Sequence, residues 1–240
     1  MKQDSTGIPT LLSNGKEFNT AKGKAGVLND HFQSVYTSED LTNITSIGSS
    51  IPIMPSITLS TEEIEALLSK LDTNKTAGPD QIPSYILKHC AHEVAPILQV
   101  IYNQSLHSGQ LPSDWLTANI TPIFKKGNRS CPINYRPISL TSVCCKTLEH
   151  IIFHSIMEHL QNNNLLIDNQ HGFRAGYSCQ IQLILLVEDL LHAMDNHYQI
   201  DLILLDFTKT FDKVPHRCLL TKLSYFMVLV VMCTNGLKHG

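Results

Sequence analysis

Charged side chains are scarce in this sequence of 240 residues, of which they make up 16%; about 25% is usual for a soluble globular protein. The hydrophobic fraction of 42% is enough for a real core in one large domain or two small ones. So little charge indicates that part of the surface is normally covered by further polypeptide, a partner or nucleic acid. The net charge of −3 does not by itself indicate a nucleic-acid-binding protein.

Cysteine pairs and an apolar leader are also lacking. None of the seven cysteines forms a C-x-x-C pair, and their number is odd. The segment from Met1 to Gly7 is polar and has no apolar core of the signal-peptide kind. The longest apolar run, Tyr225 to Cys233, is too short to span a bilayer. We therefore expect reduced thiols, no membrane association and an intracellular location, nuclear or cytoplasmic.

Acidic residues are absent from Trp115 to Leu148, although this stretch contains several basic ones. They are Lys125, Lys126, Arg129, Arg136 and Lys146. A local excess of cations is what phosphate binding requires, because each cation replaces counterions held by the phosphates. The same pattern is typical of an ordinary solvated basic face, and composition alone favours that interpretation.

The apolar spacing predicts a mixed α+β chain. Helices are predicted where apolar residues recur at helical spacing: 19–36, 61–71, 92–107, 143–162 and 180–198. The second begins with a capping box, Ser60 to Glu63, and the third stops before Gly109 and Pro112. Strands are predicted at 119–126, 138–141 and 200–207. The third is nearly all apolar, which predicts a strand buried on both faces, and a helix is predicted to follow it through Leu223. Residues 38–58 are rich in Ser, Thr, Ile and Pro and predict a linker.

An acidic residue, Asp206, lies near the end of the predicted apolar strand at 200–207. A carboxylate held at the end of a rigid strand is well placed to bind a divalent metal. An aspartate at such a position is also typical of a helix cap or an ordinary turn, and for an isolated aspartate that explanation is the commoner one.

Four segments, taken together and in this order, change that balance. They are TAGPDQIP at 76–83, WLTANITPIFKKG at 115–127 with NYRPISL at 134–140, QHGFRAGYSC at 170–179, and LDFTKTFDKVPH at 205–216. In sequence and spacing they resemble the reverse transcriptases of non-LTR retrotransposons, particularly the jockey-like (LINE-type) lineages. LNDHF at 28–32 is similar to the stretch that precedes the polymerase in this family, so the resemblance extends from about Ile8 to Tyr225.

The resemblance implies a right-hand polymerase, whose fingers hold the template and the nucleotide and whose palm holds two metal ions. On that basis residues 1–58 are an N-terminal helix and linker, and residues 59–198 a fingers-like region. Residues 199–240 are then the start of an incomplete palm, with its first strand and helix and an aberrant tail. The implied partners are an RNA template, a DNA primer and deoxynucleoside triphosphates.

The resemblance also implies the residues that bind metal and nucleotide. Asp206 resembles the catalytic aspartate that binds both Mg²⁺ ions, and the backbone carbonyl of Phe207 would complete the coordination beside the nucleotide. Lys125 and Arg136 resemble the two cations that bind the triphosphate, and Lys126 is a neighbour that could take the same role. Arginine suits a bidentate contact with phosphate, whereas lysine acts as a point charge.

Further residues are implied to select the sugar and to contact the template. Phe211 matches the steric gate that excludes a ribose 2′-hydroxyl, although a core aromatic of the following helix is an equally good explanation. Gly172, Phe173 and Arg174 resemble the segment that contacts the template strand. Tyr177 stands where a basic residue is frequent in the family, and we expect it to weaken that contact.

The family's second group of carboxylates, in an aromatic-Ala-Asp-Asp motif, has no counterpart in this sequence. It contains no Asp-Asp pair and no acidic residue after Asp212. One carboxylate cannot hold two divalent cations in the required geometry. We therefore expect a truncated RNA-directed DNA polymerase that is inactive alone and does not retain Mg²⁺. The alternative is a non-enzymatic remnant that binds nucleic acid weakly.

Other constellations in the sequence carry less weight. His150 and His154 have a spacing that can hold zinc, but no H-E-x-x-H motif accompanies them, and an ordinary helix surface is the favoured interpretation. Cys144 and Cys145 are interpreted as buried packing. An unrelated α/β nucleotide-binding domain is disfavoured, since the sequence has neither G-x-x-x-x-G-K-[ST] nor G-x-G-x-x-G.

Overall fold

The computed structural model describes residues 7–36, 52, 54–207 and 209–226. Contacts divide the chain into a large unit, residues 1–154 with 209–240, and a small unit, residues 155–208. Helix makes up 48% and strand 9%, so the predicted mixed class is confirmed. The predicted linker at 38–58 falls largely outside the described residues.

A short hairpin opens the large unit. Its strands, β1 (Leu11–Ser13) and β2 (Lys16–Phe18), pair antiparallel. Asn14 and Gly15 between them have φ values of 51° and 74°, as a tight two-residue hairpin turn requires. The apolar pattern does not predict this hairpin, because strands of three residues are too short to show alternation.

Helix α1 (Ala21–Gln33) follows the hairpin, inside the predicted range of 19–36. The Thr20 side chain caps it by accepting a hydrogen bond from the backbone N–H of Gly23 at 3.2 Å. One side of α1 is buried in a small hydrophobic core. That core consists of Leu11, Val27, Leu28, Phe32 and Tyr135.

Three helices form most of the larger core. They are α2 (Thr61–Ser69), α3 (Ser84–His89) and α4 (Ala91–Ser108). The predicted cap of α2 is confirmed, since the Ser60 hydroxyl accepts from the backbone N–H of Glu63 at 3.0 Å. The predicted stop of α4 is also confirmed, at Gly109, whose φ of 68° suits glycine. The apolar pattern does not predict α3, because its six residues are fewer than two helical turns.

The start of helix α5 (Val143–Asn162), which has its predicted bounds, completes this core. The buried members are Leu59, Ile64, Leu68, Leu87, Ala91, Ala95, Leu98, Tyr102, Val143, Cys144, Leu148 and Ile151. At its centre the Tyr102 hydroxyl donates to the backbone oxygen of Cys144 at 2.7 Å. The Tyr102 ring meets Trp115 edge-on, with 5.7 Å between centroids.

A second hairpin lies between α4 and α5 in the chain. Strands β3 (Asn119–Phe124) and β4 (Tyr135–Leu140) are antiparallel, and their register runs from Asn119 opposite Leu140 to Phe124 opposite Tyr135. Both strands are predicted from the sequence. β4 begins at Tyr135 rather than at 138, because its pairing with β3 extends that far.

The small unit contains the end of α5 and helix α6 (Cys179–Asp195), which is predicted at 180–198. The Ser178 hydroxyl caps α6 by accepting from the backbone N–H of Ile181 at 3.2 Å. No residue of α6, all of which the structure describes, is buried.

Residues 200–207 are irregular, so the prediction of a strand buried on both faces is wrong. Leu204 and Leu205 are 81% and 82% exposed. A strand buried on both faces needs neighbouring strands for its backbone hydrogen bonds, and the sheets found within the described residues consist of β1 to β4 alone. The helix predicted after this segment is present as α7 (His216–Phe226). In the described ranges, no helix is long and apolar enough to cross a bilayer.

Candidate nucleotide-binding and template-binding site

The register of the β3–β4 hairpin places Lys125 and Arg136 on one face. Ile123 lies opposite Arg136, so their side chains share a face. The backbone N–H of Lys125 donates to the Asn134 oxygen at 2.8 Å, which continues the pairing beyond β3. Because side chains alternate along a strand, Lys125 lies on the same face as Ile123 and Arg136. Both cations are exposed.

The opposite face of this hairpin anchors it to the small core. Tyr135 is 5% exposed, and its ring meets the Phe124 ring edge-on at 5.6 Å. The Tyr135 hydroxyl donates to the backbone oxygen of Arg129 at 2.7 Å. At its loop end the hairpin therefore has one aromatic face packed on the small core and one face with two exposed cations.

The loop between the strands is fixed by its own polar side chains. Gly127 has a φ of +91°, and a Cβ there would come within 2.8 Å of the Asn134 side-chain nitrogen. That nitrogen donates to the backbone oxygen of Asn128 at 2.8 Å, and the Asn128 side chain accepts from the Ser130 N–H at 2.9 Å. These hydrogen bonds fix the loop that joins β3 to β4.

The basic residues of this region have different roles. The Arg129 guanidinium lies 5.1 Å from the centroid of the Phe124 ring and donates to the backbone oxygen of Gly7 at 3.4 Å. Arg129 is thus part of the packing. No described acidic residue forms an ion pair with Lys125 or Arg136.

The segment at 76–83 contacts the chain directly after β4. A Cβ added to Gly78 would lie 2.6 Å from the backbone of Thr141 and of Ser142. The TAGPD turn therefore packs directly on the chain between β4 and α5, a contact that only glycine allows. The sequence predicts a turn at this segment but carries no local signal of the contact between Gly78 and residues 141–142.

The Gly172–Arg174 segment forms a turn in the small unit. Phe173 has a φ of +60°, and its side chain is 79% exposed. Arg174 points back into its own loop, where Nη1 donates to the backbone oxygen of Ile167 at 2.7 Å. Phe173 rather than Arg174 is therefore the outward residue of this segment.

The residues predicted to bind metal and to select the sugar are exposed. Asp206 and Phe207 belong to the irregular stretch of the small unit, and Phe207 is 74% exposed. Phe211 belongs to the large unit, is also 74% exposed and lies in a turn before α7. The interpretation of Phe211 as a core aromatic of the following helix is therefore wrong. Among the described residues, no three His, Cys, Asp or Glu side chains are grouped so as to hold a metal.

Residues 123–236 match the model of the family described as reverse transcriptase (RNA-dependent DNA polymerase). The chain is 31% identical over 197 residues to a probable RNA-directed DNA polymerase from transposon BS of Drosophila melanogaster, covering 80% of this chain and 21% of that protein. These matches confirm the resemblance to non-LTR retrotransposon reverse transcriptases that the sequence motifs indicate. The matched range contains every residue predicted for the site, from Lys125 to Phe211.

Two further relatives show the same similarity. A probable RNA-directed DNA polymerase from transposon X-element of Drosophila melanogaster is 28% identical over 221 residues, covering 87% of this chain and 24% of the relative. The RNA-directed DNA polymerase from mobile element jockey of the same species is 29% identical over 170 residues, covering 70% and 19%. The chain thus spans about a fifth of the length of these relatives.

Two adjacent thiols, Cys144 and Cys145, are buried. Burial raises the pKa of Cys144 to about 11 and, together with the nearby Glu149 carboxylate, that of Cys145 to about 12. Both remain neutral thiols at physiological pH, so the interpretation of this pair as buried packing is confirmed. His150 and His154 lie with ring centroids 5.0 Å apart on α5.

Proposed function

We propose that this chain supplies RNA-directed DNA polymerisation with a surface that binds the incoming deoxynucleoside triphosphate and a turn that contacts the RNA template. The observation that carries the proposal is that two exposed cations, Lys125 and Arg136, lie on the same face of the β3–β4 hairpin, within the range that matches the reverse transcriptase model. A DNA primer paired to the template is the third partner. The relatives named above are described as RNA-directed DNA polymerases, which supports this substrate class.

The two cations suit a triphosphate for chemical reasons. The Arg136 guanidinium can donate two parallel hydrogen bonds to phosphate oxygens, and the Lys125 ammonium adds a compact positive charge. The buried aromatic face and the fixed loop hold the backbone of both residues before any ligand binds. Preorganisation of this kind lowers the entropic cost of binding.

Phe211 is proposed as the steric gate against ribonucleotides. Its side chain is 74% exposed, and a bulky ring beside the sugar excludes a 2′-hydroxyl by contact. We expect Phe211→Val to increase the ratio of ribonucleotide to deoxynucleotide binding, with Phe211→Tyr as the conservative control.

Asp206 and the Phe207 carbonyl are proposed as one side of a Mg²⁺ site. The 240 residues contain no Asp-Asp pair and no Asp or Glu after Asp212, and no group of three candidate ligands exists among the described residues. We therefore propose that the 240-residue polypeptide binds nucleotide and nucleic acid without polymerising alone.

Nucleotide binding tests the hairpin directly. In a titration of the 240-residue chain with a fluorescent deoxynucleoside triphosphate, Arg136→Ala and Lys125→Ala should each weaken binding about tenfold. Lys70→Ala, at another exposed lysine of the large unit, should leave binding unchanged. Equal affinities for all three variants would refute the proposed role of the hairpin.

Primer extension separates the enzymatic from the non-enzymatic form of the proposal. With Mg²⁺, deoxynucleotides and a primed RNA template, we expect no incorporation above background. Incorporation that Asp206→Ala abolishes would show that the chain polymerises alone. Absence of both incorporation and nucleotide binding would leave the chain as an inert remnant of the family.

A further inference from the structure

Two histidine side chains lie next to each other on the exposed surface of α5. His150 and His154 are four residues apart, a spacing that puts two side chains on one face of a helix. Both are exposed, their ring centroids are 5.0 Å apart, and the ring planes meet at 78°. The sequence shows only the spacing, whereas the structure shows that the two rings are adjacent.

The nitrogens of this histidine pair are not engaged elsewhere in the described part of the chain. Neither ring forms a hydrogen bond or an ion pair there, and His154 has a further ring contact with Phe153, at 6.4 Å between centroids. His92, also exposed, differs because its ring nitrogen lies 3.2 Å from the Glu65 carboxylate. A neutral imidazole has one nitrogen lone pair that can bind a metal, so the pair at 150 and 154 offers two.

The separation of the two rings suits a shared metal ion. A Zn–N bond to histidine measures about 2.0–2.1 Å, and zinc prefers tetrahedral geometry. Two imidazoles on one such ion have centroids roughly 5 Å apart at those bond lengths and that angle. The observed centroid distance of 5.0 Å agrees with this value. Rotation about the side-chain torsions would aim one nitrogen of each ring at the ion without moving the helix.

The ligand atoms select the class of metal. Imidazole nitrogen suits Zn²⁺, Ni²⁺ and Cu²⁺, whereas Mg²⁺ prefers oxygen ligands. The histidine pair therefore does not suit the Mg²⁺ ions that are proposed for Asp206. No third His, Cys, Asp or Glu side chain joins the pair within the described residues, so water would fill the remaining positions around the ion.

We propose that His150 and His154 chelate one divalent transition-metal ion of the Zn²⁺ class on the surface of α5, with water completing its coordination. Both residues belong to the large unit, and neither takes part in the proposed binding of nucleotide, template or Mg²⁺. The inference is therefore independent of the proposed function. Because the unfolded chain does not hold the two rings together, the bound ion also stabilises the folded chain.

Calorimetric titration of the full chain with Ni²⁺ in excess Mg²⁺ tests the chelate. His150→Gln and His154→Gln should each weaken the tightest binding about tenfold or more, because one ligand then replaces two on the same scaffold. Zn²⁺ should displace Ni²⁺ from the wild-type chain. The double variant His89→Gln, His107→Gln removes two other exposed histidines and should bind as wild type. Wild-type affinity in both single variants, an equal loss in the control, or no displacement by Zn²⁺ would overturn the inference.

A relocated pair separates chelation from a structural role of these side chains. Lys146 is exposed one turn before His150 on α5, so Lys146→His added to His154→Gln recreates the four-residue spacing. We expect this double variant to regain Ni²⁺ affinity to within about threefold of wild type. Lys70→His added to His154→Gln supplies an exposed histidine elsewhere in the large unit and should remain weak. Failure of Lys146→His to restore binding, or equal restoration by Lys70→His, would contradict the chelate.

Discussion

Helices α4 and α6 are similar in length and both rich in apolar residues, but they differ in burial. α4 has 18 residues and buries several of them, including Leu98 and Tyr102, against α2, α3 and α5. α6 has 17 residues and buries none. The difference shows that an apolar helix becomes core only where other elements of the same unit surround it.

The β3–β4 hairpin and residues 200–207 repeat the comparison for strands. β3 is held by its ladder with β4 and by the aromatic face beneath it. The second segment is at least as apolar but remains irregular and exposed. Backbone pairing and a covered face, more than local composition, decide which of these segments becomes a strand.

The largest expected effect is in the core of the large unit. Leu98 is 4% exposed on α4, whereas its neighbour Ile97 is 61% exposed. Leu98→Ala should lower the free energy of unfolding by about 2–5 kcal/mol, through lost burial and the cavity left behind. The fluorescence of the single tryptophan, Trp115, which packs on Tyr102 in this core, reports the urea transition.

Two substitutions at exposed positions are the matched controls for Leu98→Ala. Ile97→Ala should cost less than about 1 kcal/mol, since its side chain is already in water. Leu191→Ala on α6, where the leucine is 55% exposed, should be similarly mild when unfolding is followed by far-ultraviolet circular dichroism. A cost for Leu191→Ala as large as that for Leu98→Ala would mean that α6 is packed in solution.

Gly78→Ala is expected to have the next largest effect. Its new Cβ would collide with the backbone of Thr141 and Ser142, so we expect a loss of about 1–3 kcal/mol in urea unfolding. Gly26→Ala is the control in the same unit. It lies inside α1 with open space around it and should stabilise by about 0.5–1 kcal/mol. Equal stability of the two variants would refute the close approach at Gly78.

Removing one buried hydroxyl should have a smaller effect. Tyr102→Phe deletes the hydrogen bond to the Cys144 oxygen and leaves the ring in place, so we expect a loss of about 1 kcal/mol. The same change at Tyr85, whose side chain is 55% exposed, should leave the unfolding midpoint unaltered. A Tyr102→Phe variant as stable as wild type would show that this bond contributes nothing.

The last prediction concerns pH. In the unfolded chain Cys144 and Cys145 titrate near 9, whereas burial raises their folded pKa values to about 11 and about 12. Because the folded state holds these protons more tightly, stability should be complete below pH 9 and fall as pH rises through 11. Melting temperatures measured from pH 8 to 11 should decline less steeply in a Cys144→Ala, Cys145→Ala double variant. Identical slopes would contradict the raised pKa values.

Local signals predict much of this fold. The Ser60 cap, the stop at Gly109 and the bounds of α5 follow from side-chain chemistry within a few residues, and the structure confirms them. The β1–β2 hairpin and α3 are too short for periodicity to reveal. The strand predicted at 200–207 is wrong because its pattern carries no information about partner strands.

The sequence predicts which residues belong to the candidate site but not how their side chains are arranged. The motifs identify Lys125 and Arg136, and only the register of the hairpin shows that they share an exposed face. The motifs also identify Arg174 but not its direction, which Tyr177 and the Ile167 carbonyl determine. Contacts between residues distant in sequence, such as Gly78 with Thr141, leave no local signal.

The central claim is that the hairpin proposed to bind nucleotide is folded, whereas residues 200–207, which contain the proposed metal ligand Asp206, are irregular. Hydrogen exchange of the 240-residue chain tests this claim most directly. Peptides that cover residues 119–140 should retain protected amides, because β3 and β4 pair along their whole length. Peptides that cover residues 200–207 should exchange as fast as an unfolded chain. Protection of residues 200–207 equal to that of residues 119–140 would contradict the account, since it would place Asp206 on a formed strand.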